Sequence, residues 1–216
     1  CRLWPSCRAL LFSLPDGFSG LHILRTVGGW DAFNVTEDAD LGFRLWTRGW
    51  RLGVISRPTW ETPPGDLSDW LPQRTRWLKG YMQTLIVWTK SRSGLSLAGQ
   101  ASLWLTLGVS VLSALIHGPI ALLLLAQSIL AICGWAPFVS STGLVLIATA
   151  WTSAILSMSV GAKRAGIDIR ASDLALAVAY WPLATLAAAR AFYQLLFKPF
   201  YWDKTPHKPE PLRTAP

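Results

Sequence analysis

The sequence predicts an α/β unit over residues 1–95 and an all-α transmembrane region over residues 96–197, followed by a tail at 198–216. Three observations lead there. Charge is unevenly spread, because residues 96–197 carry it only at Lys163, Arg164, Asp168, Arg170, Asp173 and Arg190, while most of the Arg, Asp and Trp come earlier. The composition is apolar overall, with 51% hydrophobic and 15% charged residues and a mean hydropathy of +0.34, against about 25% charged in ordinary soluble domains. Residues 37–56, finally, read as a helix followed by a strand.

That helix is predicted over 37–48. Thr36 is a good N-cap, Glu37 and Asp38 put negative charge in the first turn, and Arg44 and Arg48 put positive charge in the last, just before Gly49. Trp50 to Ser56 alternates weakly, as a short strand does. Asp38 then stands at the mouth of the helix, where it can take a proton from a hydroxyl about 3 Å away. Acids also occupy first turns simply because they oppose the helix dipole, and spacing alone leaves both readings open. Asp38-Ala39-Asp40 matches a pattern that holds a divalent cation on a diphosphate. Asp40, however, falls on a helix turn beside Leu41 and is expected to be solvated or paired with Arg44.

Residues 70–85 read as an amphipathic helix starting near Pro72, a residue favoured at the first helical position. Gln73, Trp77, Gly80 and Tyr81 fall on or near one face, with Arg76 and Lys79 beside it. Arg76 offers phosphate oxygens a planar fork of donors that stays charged when desolvated. A helix lying in a membrane interface, with Trp and Tyr at headgroup depth and its cations snorkelling, uses the same residues.

Downstream, residues 101–133 form an apolar run interrupted at His117-Gly118-Pro119, long enough for one kinked span or two short ones. His117 reads as a channel-lining or proton-handling group, a turn residue, or a satisfied intramembrane histidine. Val139–Val160 is a second apolar segment and ends in basic Lys163-Arg164; Leu174–Ala189 is a third and contains Pro182. Basic residues lie both at 163–170 and from 190 onward, so both sites favour the cytosolic side. Either the third segment is a Pro182-kinked re-entrant or interfacial element, or one of the two loops breaks the positive-inside rule; with a cytosolic tail, Phe192–Trp202 reads as an in-plane aromatic helix. The net charge of +8 flanks apolar segments and forms no stripe with stacking aromatics, which excludes nucleic acid as the partner class. Cys1, Cys7 and Cys133 have no metal-ligand spacing, and neither a disulfide framework nor a zinc site is expected.

Taken together, Thr36-Glu37-Asp38 followed by Gln73-Arg74-Thr75-Arg76-Trp77 resembles the TED and QxxRW pair of processive, membrane-bound family 2 glycosyltransferases, the cellulose synthase-like group. Val27-Gly28-Gly29-Trp30-Asp31, the Leu78-to-Thr84 continuation and the late Lys198-Pro199-Phe200-Tyr201-Trp202-Asp203-Lys204-Thr205-Pro206-His207 also resemble bacterial members, so the likeness covers about residues 25–208.

The resemblance implies the C-terminal part of a GT-A-like domain on the cytosolic face of a bacterial inner membrane, in a multi-pass protein. It implies a nucleotide-diphosphate sugar as donor, a glycan acceptor, contact with membrane lipid, and inversion at the anomeric carbon. Asp38 takes the place of the general base and Glu37 orients the acceptor or the base. Thr36, Gln73, Arg74, Arg76 and Trp77 are the substrate-binding positions, with Gln73 and Arg76 on the diphosphate and Trp77 as the floor under the acceptor sugar. A divalent cation, Mg or Mn, is implied for the full-length enzyme, with no ligand assigned in this chain.

Residues 1–24 have no counterpart of the family's nucleotide-binding half, and Gly17 to His22 is at best a contracted remnant of its glycine-rich segment. The chain is therefore expected to be a C-terminal half that does not turn over alone. Two readings compete: a catalytically silent membrane module that binds a glycan, lipid or partner protein, and a small transporter.

Overall fold

The computed structural model describes residues 20–50, 64–90, 94–135 and 141–201, together with the backbone of four short strands. These strands are β1 (Trp4–Pro5), β2 (Leu10–Phe12), β3 (Leu52–Val54) and β4 (Trp60–Glu61). The helices are α1 (Gly20–Thr26), α2 (Glu37–Thr47), α3 (Leu67–Lys90), α4 (Leu97–Leu103), α5 (Val109–Ile132), α6 (Ser141–Ala165) and α7 (Ala171–Phe197). A π-helical turn, Trp104–Gly108, joins α4 to α5.

The expected α/β fold, the C-terminal part of a GT-A-like domain, is not what the described residues form. They are overwhelmingly helical, and their only strand pairing is two separate antiparallel pairs, β1 with β4 and β2 with β3. A sheet layer needs three or more strands with an apolar face for helices to cover. Here the helices bury their apolar faces on one another instead. Phe43 of α2, Leu78, Met82 and Leu85 of α3, Leu103, Leu107 and Val111 of the α4–α5 rod, and Ala187, Ala188 and Ala191 of α7 share one core. A smaller core of Ile23, Val27, Leu41 and Leu45 joins α1 to α2.

α2 falls within a residue of its expected bounds because its end signals are local. Glu37, Asp38 and Asp40 occupy its first turn. It closes with Gly49 at φ 81°, Gly49 N–H bonding to Trp46 O at 2.9 Å and Trp50 N–H to Leu45 O at 3.1 Å, the paired closure that favours glycine. Thr36 is the N-cap residue, but its side chain makes no cap hydrogen bond. α3 starts at Leu67, earlier than the expected start near Pro72. Asp66 Oδ1 accepts from Asp69 N–H at 3.0 Å and from Ser68 Oγ at 2.6 Å, so an aspartate cap sets the start and Pro72 lies inside the helix.

Residues 97–132 are one unbroken helix, long and apolar enough to cross a membrane, as is Gly143–Ala165. The interruption at His117-Gly118-Pro119 is absorbed by α7. Thr185 Oγ1 accepts from Gly118 N–H at 2.8 Å and donates to Ala114 O at 2.6 Å, so a hydroxyl sits where the helix's own bond would be. His117 is satisfied on its own helix, with Nδ1 2.9 Å from Ser113 Oγ and 2.6 Å from Ser113 O, and its ring rests 4.9 Å from Trp181. Contacts at 114–118 with 181–185, and in the shared core at 103–111 with 187–191, make α5 and α7 antiparallel.

The third segment is one continuous helix: α7 runs unbroken for 27 residues with Pro182 inside it, about 40 Å. No separate in-plane helix follows: Phe192–Phe197 are the last turns of α7, and Trp202 with the rest of the tail lies outside the described residues.

At Gly118 a Cβ would stand 2.5 Å from Thr185 Oγ1. Gly118→Ala is expected to lower stability by about 1–3 kcal/mol, the usual cost of overpacking. Adding Thr185→Ala should recover part of it, as read from thermal unfolding of the purified chain in micelles.

Candidate functional site

α3 is the surface on which three distant segments of the chain meet. The first is Asn34-Val35-Thr36, which leads into α2. Asn34 Nδ2 donates to Thr84 Oγ1 at 2.9 Å, and Val35 N–H donates to Gln83 Oε1 at 3.3 Å. Asn34 Oδ1 accepts Thr36 N–H at 3.0 Å, which turns the chain into the helix. Thr36 then lies directly on Gly80: a Cβ there would collide with its Oγ1 and stand 2.6 Å from its Cγ2.

The late segment arrives on the same helix. Lys79, only 1% exposed, donates from Nζ to Lys198 O at 2.9 Å and to Tyr201 O at 2.8 Å. Gln83 Nε2 donates to Pro199 O at 3.3 Å, so one amide group bridges residue 35 and residue 199. Phe33 and Phe200 meet edge to face with centroids 5.9 Å apart.

A buried carboxylate ties the remaining elements together. Asp40, 5% exposed, accepts from Arg44 Nε at 2.7 Å and from Trp88 Nε1 at 2.9 Å. Arg44 Nη1 in turn donates to Val27 O at 2.9 Å, at the turn where Gly28 takes φ 89°. Asp40 is thus Arg44-paired, and both of its oxygens are engaged. Asp38–x–Asp40 does not fit a divalent cation in this geometry, because the second carboxylate is already committed. Among the described residues no cluster of three or more His, Cys, Asp and Glu side chains has the geometry to hold a metal.

The sequence-predicted residues fall into two groups on either side of the Gly80 contact. Thr36 is buried, Glu37 half-buried and Asp38 exposed; among the described residues Asp38 Oδ1 accepts from the neighbouring Ala39 N–H, at 2.9 Å, and its carboxylate is otherwise open to solvent. Gln73, Arg74, Arg76 and Trp77 are half-buried on α3. Gln73, Arg76, Trp77 and Gly80 recur at helical spacing and share one face. Arg76 therefore lies about 6 Å along the axis from the point where Thr36 docks. Arg74 is used differently from Arg76: its guanidinium lies over Trp77 at 4.4 Å and reaches Trp70 at 5.9 Å. Its Nε is buried without a hydrogen-bond partner among the described residues. One face of Trp77 is therefore occupied by Arg74.

Lys79, Gln83, Thr84 and Asn34 were not singled out by the sequence as site-forming. Their signal was the i, i+4 spacing of Lys79 with Gln83 and of Gly80 with Thr84 on α3. An open cleft of about 520 Å³ beside Asp40 was also missed, bordered by Trp30, Asp31, Phe33, Arg44 and Trp88. Its signal is Gly28-Gly29 ahead of Trp30-Asp31.

The family model described as "Glycosyl transferase family group 2" matches residues 18–192. A protein of Bacillus subtilis (strain 168) described as "Probable glycosyltransferase YdaM" is 36% identical over 59 residues, which are 27% of this chain and 14% of that protein. The chain thus spans only a small part of that relative's length. No solved structure matches the chain.

Gly80→Ala is expected to push Thr36 off α3 at a cost of about 1–3 kcal/mol. Hydrogen exchange should then speed up at the amides of Val35 and Thr36 while the α5–α7 contact keeps its protection.

Proposed function

The chain belongs to glycosyl transferase family group 2, and from that membership we propose that it carries the acceptor and leaving-group side of an inverting, membrane-bound glycosyltransferase of the cellulose synthase-like kind. The donor is a nucleotide-diphosphate sugar and the acceptor a glycan. The observation that carries this reading is the docking of Asn34-Val35-Thr36 on α3 at Gly80, which joins the Thr36-Glu37-Asp38 turn to the face that bears Gln73, Arg76 and Trp77.

An in-line displacement needs a base on the acceptor hydroxyl and positive charge on the departing diphosphate, held in fixed relation. Asp38 removes the acceptor proton as the hydroxyl oxygen attacks the anomeric carbon. Glu37, half-buried one residue earlier, orients the acceptor or the base. Gln73 and Arg76 bind the diphosphate as its bond to the sugar breaks, and Trp77 supports the acceptor ring. The divalent cation expected of the whole enzyme has no ligand assigned among the described residues, and no step here runs through it.

Association with a membrane is supported by the two membrane-length helices, Leu97–Ile132 and Gly143–Ala165; a bacterial inner membrane, with this site on the cytosolic side, is proposed from the family resemblance alone. The start of the first packs directly on α3 through Leu103 and Leu107. The site thereby sits at the end of a membrane-length helix, where a growing glycan and lipid are both within reach.

Asp38→Asn in the full-length protein is expected to reduce sugar transfer by roughly 10²–10⁴-fold, the usual worth of a general base. Binding of the nucleoside diphosphate should stay within a factor of two or so, since Asp38 makes no contact with the leaving group. Transfer from a radiolabelled nucleotide sugar, measured beside calorimetric titration of the nucleotide, checks both. Undiminished transfer by the variant would remove Asp38 from the mechanism.

A further inference from the structure

The cleft beside Asp40 lies outside the machinery assigned above, and its chemistry is specific. Trp30 and Phe33 are 58% and 71% exposed on the loop between α1 and α2, although the flanking Val27, Asn34 and Val35 are buried. Large aromatic rings left in solvent on an otherwise anchored loop mark a binding surface. The volume of about 520 Å³ falls within the range of about 300–1,000 Å³ typical of small-molecule sites.

Charge decides between the ligands such a surface could hold. The cleft is bordered by two carboxylates, Asp31 and Asp40, and one guanidinium, Arg44. Arg44 is already neutralised by Asp40 at 2.7 Å, so the remaining formal charge is negative and a diphosphate is disfavoured. Hydrogen-bonding capacity is nonetheless left over. Arg44 Nη2 is buried and has no hydrogen-bond partner among the described residues, a donor that a ligand hydroxyl would satisfy. Asp31 Oδ1 accepts from Phe33 N–H at 2.9 Å and holds the loop in shape. Exposed aromatic faces, a carboxylate and an unused N–H without net positive charge match a neutral polyol ring.

The cleft is also supported from behind. Phe33 abuts Phe200, and the backbone around Phe200 is pinned to α3 by Lys79 and Gln83. That gives the late Lys198-to-Tyr201 motif a task, which is to hold Phe33 at the cleft's edge.

We propose that this cleft is a carbohydrate subsite, with Trp30 and Phe33 as its stacking faces and Arg44 as its buried donor, and that it takes a neutral sugar ring of the acceptor glycan other than the reacting one. The reacting ring is excluded because Asp38 is not among the residues that border the cleft. The acceptor assignment rests on the transferase reading above; the carbohydrate class rests on the cleft alone.

Saturation-transfer NMR of the full chain in lipid nanodiscs free of glycoside detergent tests it, with cello-, chito-, manno- and maltotetraose as one set of probes and uridine diphosphate as the other. At least one tetrasaccharide should receive saturation from the wild type, with its affinity falling at least tenfold in Trp30→Ala and in Phe33→Ala. Both side chains are largely exposed, so the two variants serve as independent checks that the loss is local. Overturning results are an absence of contact with every tetrasaccharide, affinity unchanged in both variants, or a loss of uridine diphosphate contact in its place. Trp30-dependent tetrasaccharide binding by this chain, with no sugar transfer by the full-length protein, would defeat the transferase reading and leave the carbohydrate subsite standing.

Discussion

The absence of a side chain at Gly80 is the constraint on which the arrangement depends. Thr36 occupies the volume that any Cβ at this position would need, so the entry to α2 presses on the middle of α3. The contact is reinforced one turn further on, where Gln83 and Thr84 receive Val35 and Asn34. Without that approach α2 would have to stand off by the width of a methyl group. Asp38 would then lose its fixed relation to the face that carries Gln73, Arg76 and Trp77.

The residue beside Gly80 does the corresponding work for the far end of the chain. Burying an ammonium group is costly unless its donors are met, and Lys79 meets two carbonyls at the C-terminal end of α7, where the helix dipole also favours positive charge. Gln83 joins the two sides, accepting from residue 35 and donating to residue 199. Adjacent turns of one helix therefore fix the segment before α2 and the segment after α7 together. Because α7 packs along α5 through the Thr185 hydroxyl, the site is mechanically continuous with a membrane-length helix.

What could be read from the sequence was what local residues decide. The ends of α2 follow from its acidic first turn and from Gly49, and the pairing of Asp40 with Arg44 follows from i, i+4 spacing. The start of α3 was misplaced because Pro72 is a conspicuous helix signal and the cap at Asp66 a quieter one. Lys79 reads as a cation beside the Gln73–Trp77 face of an amphipathic helix, yet it is buried; the partners of Lys79 and Gln83 lie 116 to 122 positions away in the chain, beyond any periodicity. The α/β expectation failed for a related reason. A helix followed by a strand is a local pattern, whereas a sheet exists only if other strands come to pair with it, and among the described residues β3 pairs with β2 alone. The roles given to Asp38 and Arg76 come from likeness to a family, and the structure adds the scaffold that relates their two segments.

The convergence on α3 can be measured in the membrane itself. With Phe33→Cys and Phe200→Cys introduced together, and the native cysteines at 1, 7 and 133 replaced by serine, a short bifunctional thiol reagent should link the two positions rapidly in intact membranes. Gln83→Met should slow that linkage, because it releases both Val35 and Pro199. Failure of the unmodified Gln83 protein to cross-link, while either single cysteine still reacts with the reagent, would contradict the account.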